Sequence, residues 1–420
     1  MDEFGYRGSR LFCEDVDLET VASGAGTPTY VYSLGTILGH YRRLEKAFAG
    51  VDHLVCFSMK ANSNLAVLAA LAREGCGFDI VSGGELYRLK KAGADMSKVI
   101  FAGVGKTSEE IGAALKAGIS MFNIESWPEA ERINRLAGAM GRRARVDFRL
   151  NPDVDAHTHA YITTGRSENK FGMPMADAAR LFRGAGRLKN LQVTGIHLHI
   201  GSQITQVKPY LEAVEKAGRL IADLRRRGHA VSTLNLGGGL GIIYNREAPA
   251  TADQFAAAVL PRVKGLGVKL LLEPGRFIVG NGGVLLTKVL YLKRSRSKTF
   301  VIVDSAMNDL IRPSLYDAYH EILPLRRGSR SPARKVDVVG PVCESGDFLA
   351  KGRRMPLPAQ DQYLALRSAG AYGFVMSSNY NSRPRAAEVL VHGGRWQVVR
   401  RRERQQDLVL GETIPAYLGK

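Results

Sequence analysis

Lys60 closes the apolar run Leu54-Val55-Cys56-Phe57 and is followed by small and amide residues, Ala61-Asn62-Ser63-Asn64. A short apolar run bounded by turn formers reads as a buried strand. A lysine at the carboxyl end of a barrel strand points into the mouth where barrel active sites are built. Partial desolvation there lowers its pKa and opens Schiff-base chemistry. A lone lysine of this kind is more often a solvated strand end; its neighbours along the chain reverse that preference.

The chemically useful residues further on fall after other strand-like runs. Gly237-Gly238-Gly239-Leu240-Gly241 follows one, and Glu273-Pro274-Gly275-Arg276 follows the next. Glycines let backbone N–H groups close on an anion with no Cβ in the way, and barrels often hold phosphate after strands seven and eight. A glycine run by itself is usually a turn, but two such loops on adjacent strands are a stronger signal. His197-Leu198-His199-Ile200-Gly201-Ser202 ends a third run. Alternation puts His197 and His199 on one side. His197 reads as a core histidine. His199, nearer the strand end, could lie flat on a ring, and Ser202 could hydrogen-bond a phosphate.

The elements that must carry these residues recur in a β–α rhythm. Strand-like runs are expected at 54–59, 78–81, 99–102, 119–124, 144–150, 193–200, 233–236 and 269–272. Helical periodicity lies between them at 65–73, 84–92, 109–117, 128–136 and 210–227. Eight alternations match a (β/α)8 barrel of the TIM type, expected over residues 36–280. After Gly280 the runs are short and turn-separated: 284–292, 299–303, 335–339, 363–366, 373–376, 388–391 and 396–400. They predict a C-terminal all-β domain over 281–420. Residues 1–35, with the strand-like Pro28-Thr29-Tyr30-Val31-Tyr32, are expected to join that β domain, and 325–335 reads as a surface loop.

The chain has 420 residues, 45% hydrophobic and 24% charged. No apolar stretch approaches a membrane span, and the N-terminus carries no signal-like core, so the expected location is cytoplasmic, with no membrane partner. Cys13, Cys56, Cys76 and Cys343 show neither CxxC nor metal-ligand spacing, and no metal is expected. The net charge of +19 comes from 59 basic and 40 acidic residues. The arginines sit in short scattered clusters with no aromatic interleaving, which favours solvated charged faces over a nucleic-acid surface.

With these segments in order, the chain resembles the fold type III, alanine-racemase-like pyridoxal-phosphate decarboxylases, and among them the family acting on diaminopimelate. The resemblance rests on residues 26–32, the Lys60 block, Gly77–Leu86, Asn151–His159, Lys170-Phe171-Gly172, the His199 block, the glycine run and Glu273–Arg276. It continues through Arg312-Pro313-Ser314-Leu315-Tyr316, Gly340–Asp347 and Gly370-Ala371-Tyr372-Gly373. Phe57-Ser58-Met59 departs mildly from many relatives, at packing positions.

The resemblance implies that Lys60 holds pyridoxal 5'-phosphate as a Schiff base and that the cofactor acts as the electron sink. It implies Glu273 as partner of the pyridine nitrogen and His199 as the ring-stacking residue. Ser202, Gly238, Gly239, Gly275, Arg276 and Tyr372 become the phosphate site. Asp79 and Arg149 match positions near the cofactor; an ion pair within the barrel mouth is an equal reading for both. For meso-diaminopimelate, Arg276, Arg312, Tyr316, Glu344 and Tyr372 become substrate contacts, arginine suiting a carboxylate by its planar fork. Cys343 becomes the acid that protonates the carbon left by CO2, reaching into a neighbouring subunit's site, so a homodimer with shared sites is expected, yielding L-lysine. The alternatives are a same-fold decarboxylase of ornithine, arginine or carboxynorspermidine, which needs no Arg312; a racemase-type enzyme, which places a tyrosine where Cys343 stands; and a silent homologue, which would have lost Lys60 or Cys343.

Overall fold

The computed structural model describes residues 2–155, 170–328 and 332–418. Residues 156–159 of the motif Asn151–His159 lie outside the described residues. The chain divides into two compact units, residues 36–280 and residues 1–35 with 281–420.

In the first unit eight parallel strands close on themselves. The first strand, His53–Ser58, pairs with the second, Gly77–Ile80, on one side and with the eighth, Lys269–Leu272, on the other. Val99–Phe101, Met121–Ile124, Ala144–Asn151, Leu191–His197 and Thr233–Asn235 complete the ring. Parallel strands are covered on both faces, so their sequences run apolar without alternation. Val55, Cys56 and Phe57 are accordingly fully buried, and Cys56, Ile100, Met121 and Leu271 from four strands form one cluster. Helix starts are set by side-chain caps: Asn64 for Leu65–Arg73, Ser82 for Gly83–Ala92, and a Thr107/Glu110 capping box for Ser108–Ala117. Each cap takes up orphan N–H groups, and its position just after a strand end keeps the mouth loops short. The helix Leu34–Phe48, ahead of the first strand, has no counterpart in the sequence expectation.

The second unit is built on a β-sheet in the order Phe348–Pro356, Ala333–Val339, Thr299–Val303, Gly283–Arg294, Thr29–Ser33, Ala387–His392, Arg395–Arg400. The N-terminal strand lies inside this sheet, antiparallel to Gly283–Arg294 and parallel to Ala387–His392. Val31, Val284, Leu286, Val389 and Val391 pack with Leu11 and Leu18 in its core.

Three expectations fail here. Residues 373–376 do not form a strand: Phe374–Met376 is a single 3-10 turn after Tyr372, whose φ is +55°. Phe348–Pro356 is a strand that sequence reading passed over, because Lys351-Gly352-Arg353-Arg354 hides its apolar residues. The loop expected over 325–335 gives way to a strand from Ala333, and residues 329–331 lie outside the described residues.

Candidate active site

Lys60 sits in the 3-10 turn Met59–Ala61 directly after the first strand. Its Nζ lies 3.1 Å from Oδ2 of Asp79, which is buried in the second strand and also accepts a short hydrogen bond from the Ser58 hydroxyl. Burial and then the nearby Glu273 carboxylate push Asp79 above the usual carboxylate range, against the pull of Lys60 and Ser58.

Glu273 ends the eighth strand and is buried inside the ring. Asn123 and Asn235 donate to its Oε1 at 3.0 and 2.6 Å, and His197 Nε2 lies 3.2 Å from Oε2. Burial alone would raise this carboxyl. His197, Lys60 and Asn235 outweigh it and hold Glu273 well below the ordinary range, so it stays ionised. His197 is buried as expected of a core histidine, but its place beside Glu273 adds it to the site. Asn123 and Asn235 carry no signal in the sequence; only the ring of strands shows what they serve.

His199 follows the end of the sixth strand. Burial, then Arg149 and Lys60, lower its pKa well below the usual value, so the ring is neutral. The Gly238 amide donates to its Nδ1 at 3.2 Å. A Cβ on Gly238 would run into the Glu273 carbonyl, and Gly239 takes φ +100°. The Glu273 amide donates to the Gly237 carbonyl at 2.7 Å, binding the seventh and eighth loops together. Ser202 Oγ accepts from Arg276 Nη2 at 3.1 Å, and Arg276 Nη1 donates to the Tyr244 hydroxyl at 2.6 Å. Gly275 packs so closely that its Cβ would meet Ala61 Cβ and the Ser58 carbonyl at 3.1 Å. The three loops after strands six, seven and eight thus converge on the side of the mouth near Lys60.

Asp79 and Arg149 do not pair with each other. Arg149 Nη1 donates to Glu125 at 2.8 Å, and its guanidinium lies 4.7 Å from the Phe171 ring centroid. Glu125, absent from the sequence reading, also accepts from the Gly172 amide at 2.9 Å and the Gly103 amide at 3.2 Å. It draws Lys170–Gly172 to the mouth.

The other expected residues lie in the β unit. Arg312 opens the five-residue helix Arg312–Tyr316 and is buried; Tyr316 ends that helix. Ser314 Oγ donates to the Gly346 carbonyl at 2.6 Å, tying this helix to the loop that carries Cys343 and Glu344. Asp347 fixes that loop by accepting from the Met307 and Val342 amides at 2.7 and 2.8 Å. The Cys343 amide donates to Asn381 Oδ1 at 2.8 Å, leaving an exposed thiol. Cys13, Cys56 and Cys76 are buried and free. The exposed Tyr380 phenol hydrogen-bonds Glu344 of the same loop, which raises the phenol's pKa.

A group with an aldehyde, a basic ring nitrogen and a phosphate suits the barrel mouth. It offers an amine on a short turn, an ionised buried carboxylate, a neutral imidazole and glycine loops that admit no Cβ. The Arg149 Nε is buried with no hydrogen-bond partner among the described residues.

A (β/α)8 barrel with such a mouth is the architecture of a pyridoxal-dependent decarboxylase, and residues 34–280 match the family model "Pyridoxal-dependent decarboxylase, pyridoxal binding domain". The diaminopimelate decarboxylase of Pseudomonas aeruginosa is 52% identical, with 99% of each chain covered. The crystal structure of diaminopimelate decarboxylase from M. jannaschii matches at TM-score 0.94 and 36% identity, covering 99% of each chain. That of the Helicobacter pylori enzyme complexed with L-lysine matches at 0.90 and 39%, covering 94% of this chain and 98% of that one. The chain belongs to the diaminopimelate decarboxylase family. No helix among the described residues is long and apolar enough to cross a membrane.

Proposed function

We propose that this chain converts meso-2,6-diaminopimelate to L-lysine and CO2, the last step of lysine biosynthesis by the diaminopimelate route, with pyridoxal 5'-phosphate held on Lys60. The observation that carries the reading is Lys60 Nζ at 3.1 Å from Asp79, in the same barrel mouth as an ionised, buried Glu273. When bound, the cofactor supplies an electron sink for the carbon that loses CO2.

The remaining roles belong to the chain's own residues. Asp79, with its raised pKa, is suited to take the proton that Lys60 must lose before its amine can attack an aldehyde. Glu273 would hold the ring nitrogen protonated, and the Asn123, Asn235 and His197 contacts keep Glu273 charged and aimed. His199, neutral and oriented by the Gly238 amide, would take the ring face. Ser202 and the Gly238, Gly239, Gly275 and Arg276 backbone would take the phosphate, and the resemblance assigns Tyr372 as a further phosphate contact. Arg149, ion-paired with Glu125, shapes the mouth beside Lys170–Gly172.

Arg276 and Arg312 take the carboxylate of the distal, L-configured end of the substrate, with the Tyr316 hydroxyl and Tyr372. Glu344 takes the distal ammonium. Cys343 donates the proton to the carbon that has lost CO2. Its exposure and its Gly/Pro-bounded loop suit it to serve a second copy's barrel mouth, so the working unit is a homodimer with two shared sites. Family membership at 52% identity supports the substrate choice.

The test is turnover of purified protein, with added pyridoxal phosphate, on meso-diaminopimelate, ornithine, arginine and lysine side by side. Release of CO2 and L-lysine from meso-diaminopimelate alone is expected. Faster release from ornithine or arginine would overturn the substrate assignment.

A further inference from the structure

We infer that His320 is the positioning residue that aims Arg312 at the substrate's distal carboxylate; the inference rests on the role given to Arg312 above. His320 has no exposed surface, and its Nε2 lies 2.9 Å from Arg312 Nη1. Its Nδ1 lies 2.7 Å from the carbonyl oxygen of Arg367. A carbonyl oxygen only accepts, so Nδ1 carries the proton. A guanidinium only donates, so Nε2 presents its lone pair. The two contacts together fix one tautomer of the neutral imidazole.

That neutrality is what the task needs. A carboxylate in the same place would orient Arg312 equally well, but it would cancel the charge and compete with the substrate's own carboxylate for the guanidinium fork. A neutral acceptor holds the fork still without itself cancelling the charge. The support is itself anchored. Arg353 Nη1 donates to the His320 carbonyl at 2.8 Å, and its guanidinium lies 3.9 Å from the Tyr319 ring centroid. Arg367, whose carbonyl receives the imidazole proton, is tied to Asp2 at 2.7 Å and to Glu321 at 3.3 Å. Between Arg312 and His320 the chain reverses at Asp317, which takes φ +49°. The helix that offers Arg312 and the residue that holds it therefore form one short closed unit.

His320→Asn and His320→Gln separate the two hydrogen bonds. Asparagine reaches the Nδ1 position and keeps a donor toward the Arg367 carbonyl, but loses the acceptor for Arg312. Glutamine reaches the Nε2 position and keeps the acceptor. With the holoenzymes, H320N should raise KM for meso-diaminopimelate and Kd for L-lysine by about tenfold or more, the scale of a hydrogen bond to a charged group. Its kcat and its visible cofactor absorbance should change far less. H320Q should stay within about threefold of wild type on both. Equal losses in the two variants, or unchanged L-lysine binding by H320N, would overturn the inference while the proposed function stands. Should Asn lower the melting temperature, H320Q decides alone: retained L-lysine affinity supports the positioning role, and a tenfold loss overturns it. Wild-type protein that neither turns over meso-diaminopimelate nor binds L-lysine would overturn the proposed function, and this inference with it.

Discussion

Lys60 and Glu273 were legible in the sequence because each sits in a short, ordered block whose neighbours narrow its meaning. Asn123, Asn235 and Glu125 were not, because an isolated asparagine or glutamate acquires a role only when closure of the strands points it at a shared centre. His197 was half legible: burial could be expected, its place beside Glu273 could not. If Lys60 carries the cofactor, purified protein should be yellow, and borohydride should fix the cofactor to the peptide containing Lys60. Protein that stays colourless with added pyridoxal phosphate would end that assignment. Glu85 offers a test by pH. Burial, with the Asp79 carboxylate adding to it against the Val81 amide, pushes it up to about 7. An acid whose folded pKa lies above its unfolded value of about 4.3 binds protons more tightly when folded. Stability therefore falls as pH rises between those two values and is level above them. Glu85→Gln keeps an acceptor for the Val81 amide and removes the slope. Its melting temperature relative to wild type should thus rise between about pH 5 and about pH 8. A difference that does not move with pH would mean that Glu85 titrates normally.

Among elements, the barrel was the readable part, since strands covered on both faces must be written as continuous apolar runs. The strands Lys269–Leu272, Thr299–Val303 and Tyr363–Leu366 fall where the periodicity put them, most others differ by a residue or two at their ends, and the sixth ends three residues early, at His197. Phe348–Pro356 was missed for the opposite reason: its exposed positions carry lysine and arginine, and half its apolar signal is lost to them. Residues 373–376 misled because Phe374 and Val375 favour strands, yet Gly373 packs so tightly against Tyr30 and the Ala369 carbonyl that the chain turns there. The caps give a measurable consequence. Thr107 and Glu110 satisfy each other's backbone N–H groups at the start of Ser108–Ala117. Thr107→Ala should cost about 1 kcal/mol in denaturant unfolding, with kcat unchanged. No measurable loss would mean that water replaces the cap at no cost.

For the whole molecule, the residues proposed to do the chemistry fall in two compact units: Lys60 and Glu273 in one, Cys343 and Arg312 in the other. Sequence order alone could suggest that division, because the β–α rhythm stops after Gly280, but nothing in the order says whether Cys343 serves its own chain's mouth or a second copy's. Complementation addresses this. Lys60→Ala and Cys343→Ala homodimers should each be severely impaired. Refolded together in equal amounts, about half the dimers should be mixed, each with one intact site of two, and roughly a quarter of wild-type activity should return. Recovery no greater than the sum of the separate variants, with exchange of subunits verified, would place both residues on one chain or remove Cys343 from the acid role.

Closure of the barrel between its first and eighth strands bears on how the protein is made. Lys60 emerges early from the ribosome, but the strand that pairs with its own, Lys269–Leu272, and the carboxylate that follows it are among the last parts of that unit to be synthesised. Until then the lysine has no Glu273 beside it and no glycine loops around it. A nascent chain halted before residue 269 should therefore leave pyridoxal phosphate in solution, and cofactor capture becomes a late checkpoint of synthesis that reports that the ring has closed.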